Sequence, residues 1–129
     1  MTVAAGRFEG CRLVEVIVAA SEEWDTVEEK RAYYRRYFAG TVRLWFAPGV
    51  GCIRLQYQHR NGLTTEIELV EYALTEPSGE YLPLALGNRW RYRWIDPGSG
   101  TRFEDTVFVA AHQEETWCLG FVTAAWATD

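Results

Sequence analysis

"GCIRLQYQHRNGLTTEIELVEY", residues 51–72, contains two alternating stretches joined by a strong turn signal. In the first stretch apolar residues occupy every second position, which is typical of a β-strand with one covered face. Asn-Gly dipeptides between two such stretches are typical of hairpin turns. The segment therefore predicts an antiparallel pair of strands, at about 51–58 and 63–72.

The register of this hairpin depends on the length of its loop. A two-residue loop would place Leu55 opposite Glu68, with an apolar side chain against a charged one. A three-residue loop, with Gly62 in the left-handed region, instead places Leu55 opposite Ile67 and Arg54 opposite Glu68. Because a register slip of one residue exchanges the faces of a strand, the matched arrangement is predicted.

A rigid corner, "FAPGVG" at 46–51, precedes the hairpin. A strand at 41–46 is predicted to stop there, because proline has no backbone N–H for the sheet. The glycine pair is not followed by a helix with a Lys-Ser/Thr end, so a phosphate-binding loop is excluded. The interpretation is structural, and the corner residues of this region and of the hairpin loop are Pro48, Gly49, Gly51 and Gly62.

The stretch "RWRYRWI", residues 89–95, alternates between aromatic and arginine side chains. It predicts a strand with three aromatic rings on one face and three arginines on the other. The turn "DPGSG" then predicts a hairpin with "TRFEDTVFVAAH", in which Arg93 opposes Glu104 and Trp94 opposes Phe103. A last strand is predicted at about 116–123.

Two further elements are predicted nearer the N-terminus. Residues 8–19 are apolar and β-branched toward their end, which predicts a strand covered on both sides. Thr26 and Glu29 have the spacing of a capping box and Gly40 is a stop signal, which predicts a short helix at about 26–37. A tyrosine-rich strand is the alternative for this segment. Everything else is predicted to be antiparallel β.

Composition bounds the class of protein. At 129 residues, the chain is predicted to be a single domain over 1–129. The net charge is −5 and no basic run exceeds two residues, so no nucleic-acid partner is expected. No apolar run reaches the roughly 20 residues of a membrane helix, so no transmembrane segment is expected. The first ten residues lack the features of a signal peptide.

Catalytic and metal-binding signals are weak. Cys11, Cys52 and Cys118 are widely spaced, and the favoured interpretation is that they are small buried hydrophobes, with a single disulfide left open. A nucleophilic Cys52 would need a nearby base, and strand parity places His59 on the opposite face. The two histidines and the scattered acidic residues show no metal-ligand spacing. No catalytic residue, metal or cofactor is predicted.

Two groups of motifs carry a resemblance to a known family. "YLPLALGNRWRYRW" at 81–94, and "AAGRFEGCRLVEV", "WFAPGVGCIRLQY" and "IELVEY" within 4–72, resemble an uncharacterised bacterial family of lipoprotein-like envelope proteins. The resemblance covers about three-fifths of the chain. It implies a mainly β fold, a curved antiparallel sheet or open half-barrel, and an envelope location. Leu82 and Cys52 differ from the residues usual in that family.

The order of these motifs is inverted relative to that family, since the second half of its unit comes first here. A permuted unit, a segment of a longer repeat protein, and a module completed by a second chain are the interpretations left open. The family supplies no catalytic residues. The resemblance therefore adds an architecture but no chemistry.

The most unusual feature of the composition is aromatic, with six Trp, seven Tyr and six Phe. Aromatic residues first of all build cores, but on a curved sheet they also line sites for apolar ligands. The leading hypothesis is a non-enzymatic domain that binds an apolar small molecule or a partner segment. The alternatives are an interaction module that forms a homo-oligomer through sheet edges, and third a carbohydrate-binding platform or an enzyme. The candidate ligand-binding residues are Trp45, Tyr57, Trp90, Tyr92, Trp94 and Trp117.

Overall fold

The computed structural model describes residues 1–18 and 39–126, and the helix predicted at 26–37 lies outside these residues. The described residues form nine strands and no helix. In chain order the strands are β1 (Thr2–Val3), β2 (Gly6–Arg7), β3 (Arg12–Val18), β4 (Gly40–Ala47), β5 (Gly51–His59), β6 (Thr64–Ala73), β7 (Arg89–Ile95), β8 (Arg102–Gln113) and β9 (Thr116–Trp126).

Seven of these strands form one antiparallel sheet in the order β3-β4-β5-β6-β7-β8-β9, and β1 pairs only with β2. Each strand of the large sheet is therefore hydrogen-bonded to its neighbours in sequence. The sheet curls into a half-barrel. The predicted fold class, mainly β with a curved antiparallel sheet, is confirmed.

The predicted register of the β5–β6 hairpin is confirmed. Leu55 pairs with Ile67, and Arg54 pairs with Glu68. The His59 amide donates to the carbonyl of Leu63 at 2.8 Å, which closes a three-residue loop. Gly62 has a φ of 91°, in the region that favours glycine.

The β7–β8 hairpin also has the predicted register, with Arg93 opposite Glu104 and Trp94 opposite Phe103. The predicted break between the strands at 41–46 and 51–58 is a tight connection between β4 and β5, which pair antiparallel. The last strand is longer than predicted and extends to Trp126. Alternation was weakest there, because small residues and threonine interrupt the pattern.

The prediction of a strand covered on both sides at 8–19 is wrong for β3. It is an edge strand, and Leu13 and Ile17 on one side and Val14 and Val16 on the other are all exposed. Two covered faces need layers above and below the sheet, and none of the described residues forms such layers over β3, which pairs among them with β4 alone. A run of β-branched residues indicates a strand but does not report its place in the sheet.

The two faces of the sheet differ in chemistry. One carries a network of ion pairs, including Arg93–Glu68 at 2.7 Å and Arg91–Glu104 at 2.6 Å, and is called the charged face. The other is called the apolar face. One end of the apolar face is covered by the N-terminal residues and by the connection between β6 and β7. The buried core lies at this closed end and comprises Val3, Ala47, Val50, Ile53, Leu69, Trp90 and Val109.

Candidate binding site on the apolar face

A continuous row of uncharged side chains crosses the apolar face from one edge of the sheet to the other. Each of the seven strands contributes one residue, and each residue pairs with the next across the sheet. This set, called the apolar row, consists of Val14, Leu44, Leu55, Ile67, Trp94, Phe103 and Ala125. The row lies beyond the closed end, and none of its members is fully buried.

Two hydrogen bonds show that the sheet bends toward the apolar face. The Trp90 indole N–H donates to the Val50 carbonyl at 2.6 Å, and the Tyr92 hydroxyl donates to the Cys52 carbonyl at 2.7 Å. The acceptors are Cys52 on β5 and Val50 immediately before β5, so both bonds cross β6, although strands two apart are separated by roughly 10 Å. Side chains stand nearly perpendicular to a flat sheet and would pass above these carbonyls. The apolar face is therefore concave at this end.

The corner glycines fit closely against the closed end. A Cβ atom on Gly51 would lie 3.0 Å from the Trp90 indole nitrogen, and Gly51 has a φ of 116°. A Cβ atom on Gly49 would lie 2.6 Å from the carbonyl oxygen of Ser78. Pro48 lies in the same turn. The glycines at the corner allow Trp90 and the β6–β7 connection to approach the backbone.

Trp90 itself belongs to the core, because only 3% of its surface is exposed. Tyr92 packs against the same cluster and is half-buried. Burial also raises the pKa of the Tyr92 phenol, so it remains a neutral hydrogen-bond donor at ordinary pH. These two predicted ligand-binding residues shape the closed end of the concave face and do not offer open rings.

Tyr57 lies on the open part of the apolar face, next to a buried polar pair. Its ring stacks on that of His59, with centroids 4.3 Å apart and planes 17° apart. The His59 Nε2 atom lies 2.6 Å from the Thr65 hydroxyl oxygen, and both of these residues are buried. Burial raises the pKa of the Tyr57 phenol. The part of the site around Tyr57 combines an aromatic surface with polar atoms.

Trp94 is half-buried and forms the aromatic centre of the apolar row. Its ring stacks on Phe103, with centroids 4.3 Å apart. Its indole N–H donates to one oxygen of the Asp105 carboxylate at 2.7 Å, and the Thr123 hydroxyl donates to the other oxygen at 2.7 Å. These bonds connect β7, β8 and β9 and fix the orientation of the indole.

The remaining two candidate ligand-binding residues, Trp117 and Trp45, lie outside the apolar row. Trp117 stacks on His112 with ring centroids 3.6 Å apart and packs against the closed end. Trp45 pairs with Arg54, whose guanidinium carbon lies 5.4 Å from the centre of its ring. That pairing places Trp45 on the side of Arg54, next to the register shift before Phe46, and Trp45 also packs against the core cluster. Alternation with Thr41 and Arg43 in the sequence was a signal for this placement.

A cavity of about 880 Å³ lies next to β1, and its lining combines residues of the charged face with three members of the apolar row, Ile67, Trp94 and Phe103. Ion pairs such as Arg54–Glu66 and Arg93–Glu68 already satisfy much of its charge. An enclosed aromatic pocket would be lined mainly by aromatic rings, whereas the lining of this cavity includes several charged side chains. The cavity is lined by Thr2, Val3, Arg54, Thr64, Glu66, Ile67, Glu68, Arg93, Trp94, Ile95, Pro97, Arg102, Phe103 and Glu104.

The cysteines are all free. The expectation that all three are buried is wrong for Cys118, which is exposed on the edge strand β9. Cys52 is half-buried, and burial raises the pKa of its thiol to about 11. Its sulfur contacts the carbonyl of Arg54 at 3.4 Å. A thiol with this pKa is protonated at neutral pH and is a poor nucleophile.

Among residues 1–18 and 39–126, no group of three or more His, Cys, Asp or Glu side chains is placed to hold a metal ion. In the described part of the chain, no helix has the length and hydropathy needed to cross a membrane.

Sequence reasoning missed Asn88, which is fully buried beside the closed end. Its side-chain oxygen accepts hydrogen bonds from the Thr75 amide at 2.7 Å and the Thr75 hydroxyl at 3.0 Å. Its side-chain nitrogen donates to the Pro83 carbonyl at 2.9 Å. Asn88 thereby fixes the connection that covers the core. The Gly-Asn pair before β7 indicated a turn, but these partners could not be inferred from the sequence.

Comparison of the chain with protein-family models, with curated proteins and with solved structures finds no match. The resemblance to lipoprotein-like envelope proteins therefore stays a prediction.

Proposed function

We propose that this domain is a non-enzymatic binding module that holds an apolar ligand on the open part of the apolar face. The observation that carries the proposal is the apolar row, which crosses all seven strands without a charged side chain. Val14 in this row is 45% exposed, which leaves apolar surface in contact with water. Covering such surface is favourable by about 25 cal/mol per Å².

The shape and chemistry of the site favour an elongated ligand such as an acyl chain. The open part of the concave face, along the apolar row, is called the trough. It is not a closed chamber, because the side chains of the apolar row are partly exposed. Aliphatic side chains form much of the trough, the Trp94 ring lies at its centre, and the Tyr57 ring lies beside it. At one end of the trough the Tyr57 ring lies beside the buried His59–Thr65 pair. Few polar groups in an apolar lining are typical of sites for apolar small molecules.

The charged cavity supports ligand binding less well. Its carboxylates and guanidinium groups already pair with one another, and an apolar ligand would have to desolvate them. Carbohydrate binding requires open aromatic rings, whereas the rings of Trp94 and Trp117 are stacked on neighbouring side chains. The raised pKa of the Cys52 thiol argues against its use as a nucleophile.

Two adjacent residues of β3 provide a matched test. Val14 and Leu13 are 45% and 51% exposed and point to opposite faces, because Val14 pairs with Leu44 and Leu13 with Trp45. Val14→Lys places an ammonium group at the end of the trough, and Leu13→Lys places one on the charged face. Each variant would be titrated with a fluorescent probe that carries an acyl chain. We expect Val14→Lys to weaken binding about tenfold or more, which corresponds to 1.4 kcal/mol, and Leu13→Lys to have little effect.

The stability of both variants is measured by urea unfolding, so that loss of folding is separated from loss of binding. Equal effects of the two substitutions, or a wild-type protein that does not bind the acyl probe, would contradict the proposal. Binding of amphipathic helical peptides without binding of the acyl probe would assign the trough to a partner segment instead.

A further inference from the structure

The outer edge of β9 is a long strand edge without charged residues. The strand has 11 residues, "TWCLGFVTAAW", and lies at the end of the seven-stranded sheet. Residues on both of its faces are exposed, with Phe121 at 73% and Val122 at 63%. Within residues 1–18 and 39–126, no strand pairs with the backbone groups on its outer side. Long, apolar, unpaired edges are the surfaces to which other strands add.

The opposite edge of the sheet is protected in a way that β9 is not. β3 has 7 residues and carries Arg12 and Glu15. Glu15 forms an ion pair with Arg43 at 3.0 Å, and Arg12 lies over the ring of Tyr81. Charged side chains and short length are the usual means of preventing strand addition at an edge. The contrast singles out β9 as the edge open to pairing.

We propose that a second copy of this chain pairs antiparallel with β9, so that two seven-stranded sheets join into one continuous sheet around a two-fold axis. With full overlap of Thr116–Trp126, the axis passes beside Phe121, the middle residue of the strand. Phe121 then faces Phe121 of the partner subunit on the apolar face. Aromatic pairs directly opposite each other stabilise antiparallel strands.

The packing around Gly120 agrees with this register. Gly120 pairs with Phe108, and the Phe108 ring lies over it so closely that a Cβ atom on Gly120 would clash with the ring. Full overlap places Val122 of the partner subunit opposite Gly120. The partner's Val122 would therefore contact the exposed side of the Phe108 ring, which Gly120 leaves uncovered.

Symmetry and charge identify the partner as a second copy rather than a different edge or protein. Pairing of β9 with β3 of another copy would leave one free edge of each kind and continue into a filament, whereas β9–β9 pairing closes. An edge without charged residues offers no electrostatic feature that would select a different partner. The inference does not depend on ligand binding, because it rests on the backbone edge of β9 and not on a ligand held along the apolar row.

The first test compares oligomeric state by sedimentation and light scattering. We expect the wild-type chain to be dimeric at about 100 µM and to dissociate on dilution. Phe121→Lys would place two ammonium groups opposite each other at the axis and give a monomer. The matched control is Ile17→Lys, since Ile17 is 77% exposed on the other edge strand, and this variant should stay dimeric. Circular dichroism checks that both variants are folded.

The second test determines the register by disulfide trapping in a Cys118→Ser background. Phe121→Cys should cross-link between copies upon mild oxidation, since directly opposite Cβ atoms lie about 5 Å apart. Thr123→Cys should not, because Thr123 faces Leu119 of the partner subunit. A wild-type monomer at about 100 µM, equal dissociation of Phe121→Lys and Ile17→Lys, or preferential cross-linking through Thr123→Cys would overturn the proposal.

Discussion

The hydroxyl of Tyr92 on β7 donates a hydrogen bond of 2.7 Å to the carbonyl of Cys52 on β5, although β6 lies between these strands. Such a bond is possible only where the sheet curls, and it therefore links one side chain to the curvature of the half-barrel. Trp90, two residues earlier on β7, donates an equivalent bond to the Val50 carbonyl. These two hydrogen bonds fix the curvature at the closed end of the sheet, and the same curvature continues into the open trough beyond it.

Removal of the Tyr92 hydroxyl tests this link. Tyr92→Phe keeps the ring and leaves the Cys52 carbonyl without this donor, so we expect a loss of about 1 kcal/mol in the free energy of unfolding. Tyr72→Phe is the control, since Tyr72 is 38% exposed and should change stability little. Urea unfolding of both variants provides the measurement. Equal small effects would mean that the Tyr92 bond does not contribute to the curled state.

The β5–β6 loop provides a second prediction. Gly62 has a φ of 91°, and nothing lies within 4 Å of a Cβ atom added to it, so the cost of substitution comes from the backbone alone. Gly62→Val should therefore destabilise the protein by more than about 1 kcal/mol. Gly62→Asn should cost less, because asparagine tolerates the left-handed region.

Thermal and urea unfolding of Gly62→Val and Gly62→Asn decide whether backbone conformation is the cause. The same loop explains a role for Asn61, whose side-chain oxygen accepts a hydrogen bond from the Leu63 amide at 3.0 Å. Asn61→Ala should thus have a measurable cost of about 0.5–1.5 kcal/mol. If valine and asparagine at position 62 were equally tolerated, the strained-backbone explanation would fail.

The hairpins were predictable because the features that determine their pairing lie within one short stretch of the sequence. The Leu55–Ile67 and Trp94–Phe103 pairs follow from loop length and from alternation within one hairpin. The exposure of β3 was not predictable, because alternation within a strand does not report whether residues far away in sequence cover its faces. Irregularities of pairing were also missed, including the register shift beside Trp45 and the one between Leu69 and Glu71. A single extra residue in one strand leaves no clear mark in an alternating pattern.

The candidate site was predictable only in part, for the same reason. Alternation places Trp90, Tyr92 and Trp94 on one face, but it does not say which ring is buried. Trp90 is covered because residues from the corner and the N-terminus reach it, which are long-range contacts. The position of Tyr57 beside the buried His59 and Thr65 likewise depends on the pairing of two strands and on the fit of their side chains.

Asn88 provides a third prediction, about a residue outside the candidate site. Asn88→Leu keeps a similar volume but removes partners from the Thr75 amide and the Pro83 carbonyl. Buried groups left without partners cost about 1–3 kcal/mol each, so we expect a loss of several kcal/mol in the free energy of unfolding. Thr75→Val, which removes only the hydroxyl bond to Asn88, should cost clearly less. Similar stability of wild type and Asn88→Leu would show that these bonds are not needed.

The last prediction concerns the thiol of Cys52 and its dependence on pH. Burial raises its pKa from the ordinary 9.0 to about 11, so the native thiol is less ionised than an unfolded one at any pH below that range. Alkylation requires the thiolate, and a difference of two pH units corresponds to about a 100-fold lower thiolate fraction in the native state. We expect Cys52 to be alkylated at least that much more slowly at pH 8 in native than in denatured protein. Cys118, which is exposed, should show little difference.

The same shift determines how stability varies with pH. Because the unfolded thiol loses its proton first, the unfolded state binds fewer protons between pH 9 and about 11. The free energy of unfolding should therefore fall as the pH rises through this window, and should be unaffected by Cys52 below it. Cys52→Ala removes this contribution, so its stability should decline less steeply than that of wild type, whereas Cys118→Ala should follow the wild-type slope. Peptide mapping by mass spectrometry and urea unfolding at a series of pH values measure the two effects, and a native Cys52 that reacts as fast as Cys118 at pH 8 would contradict both.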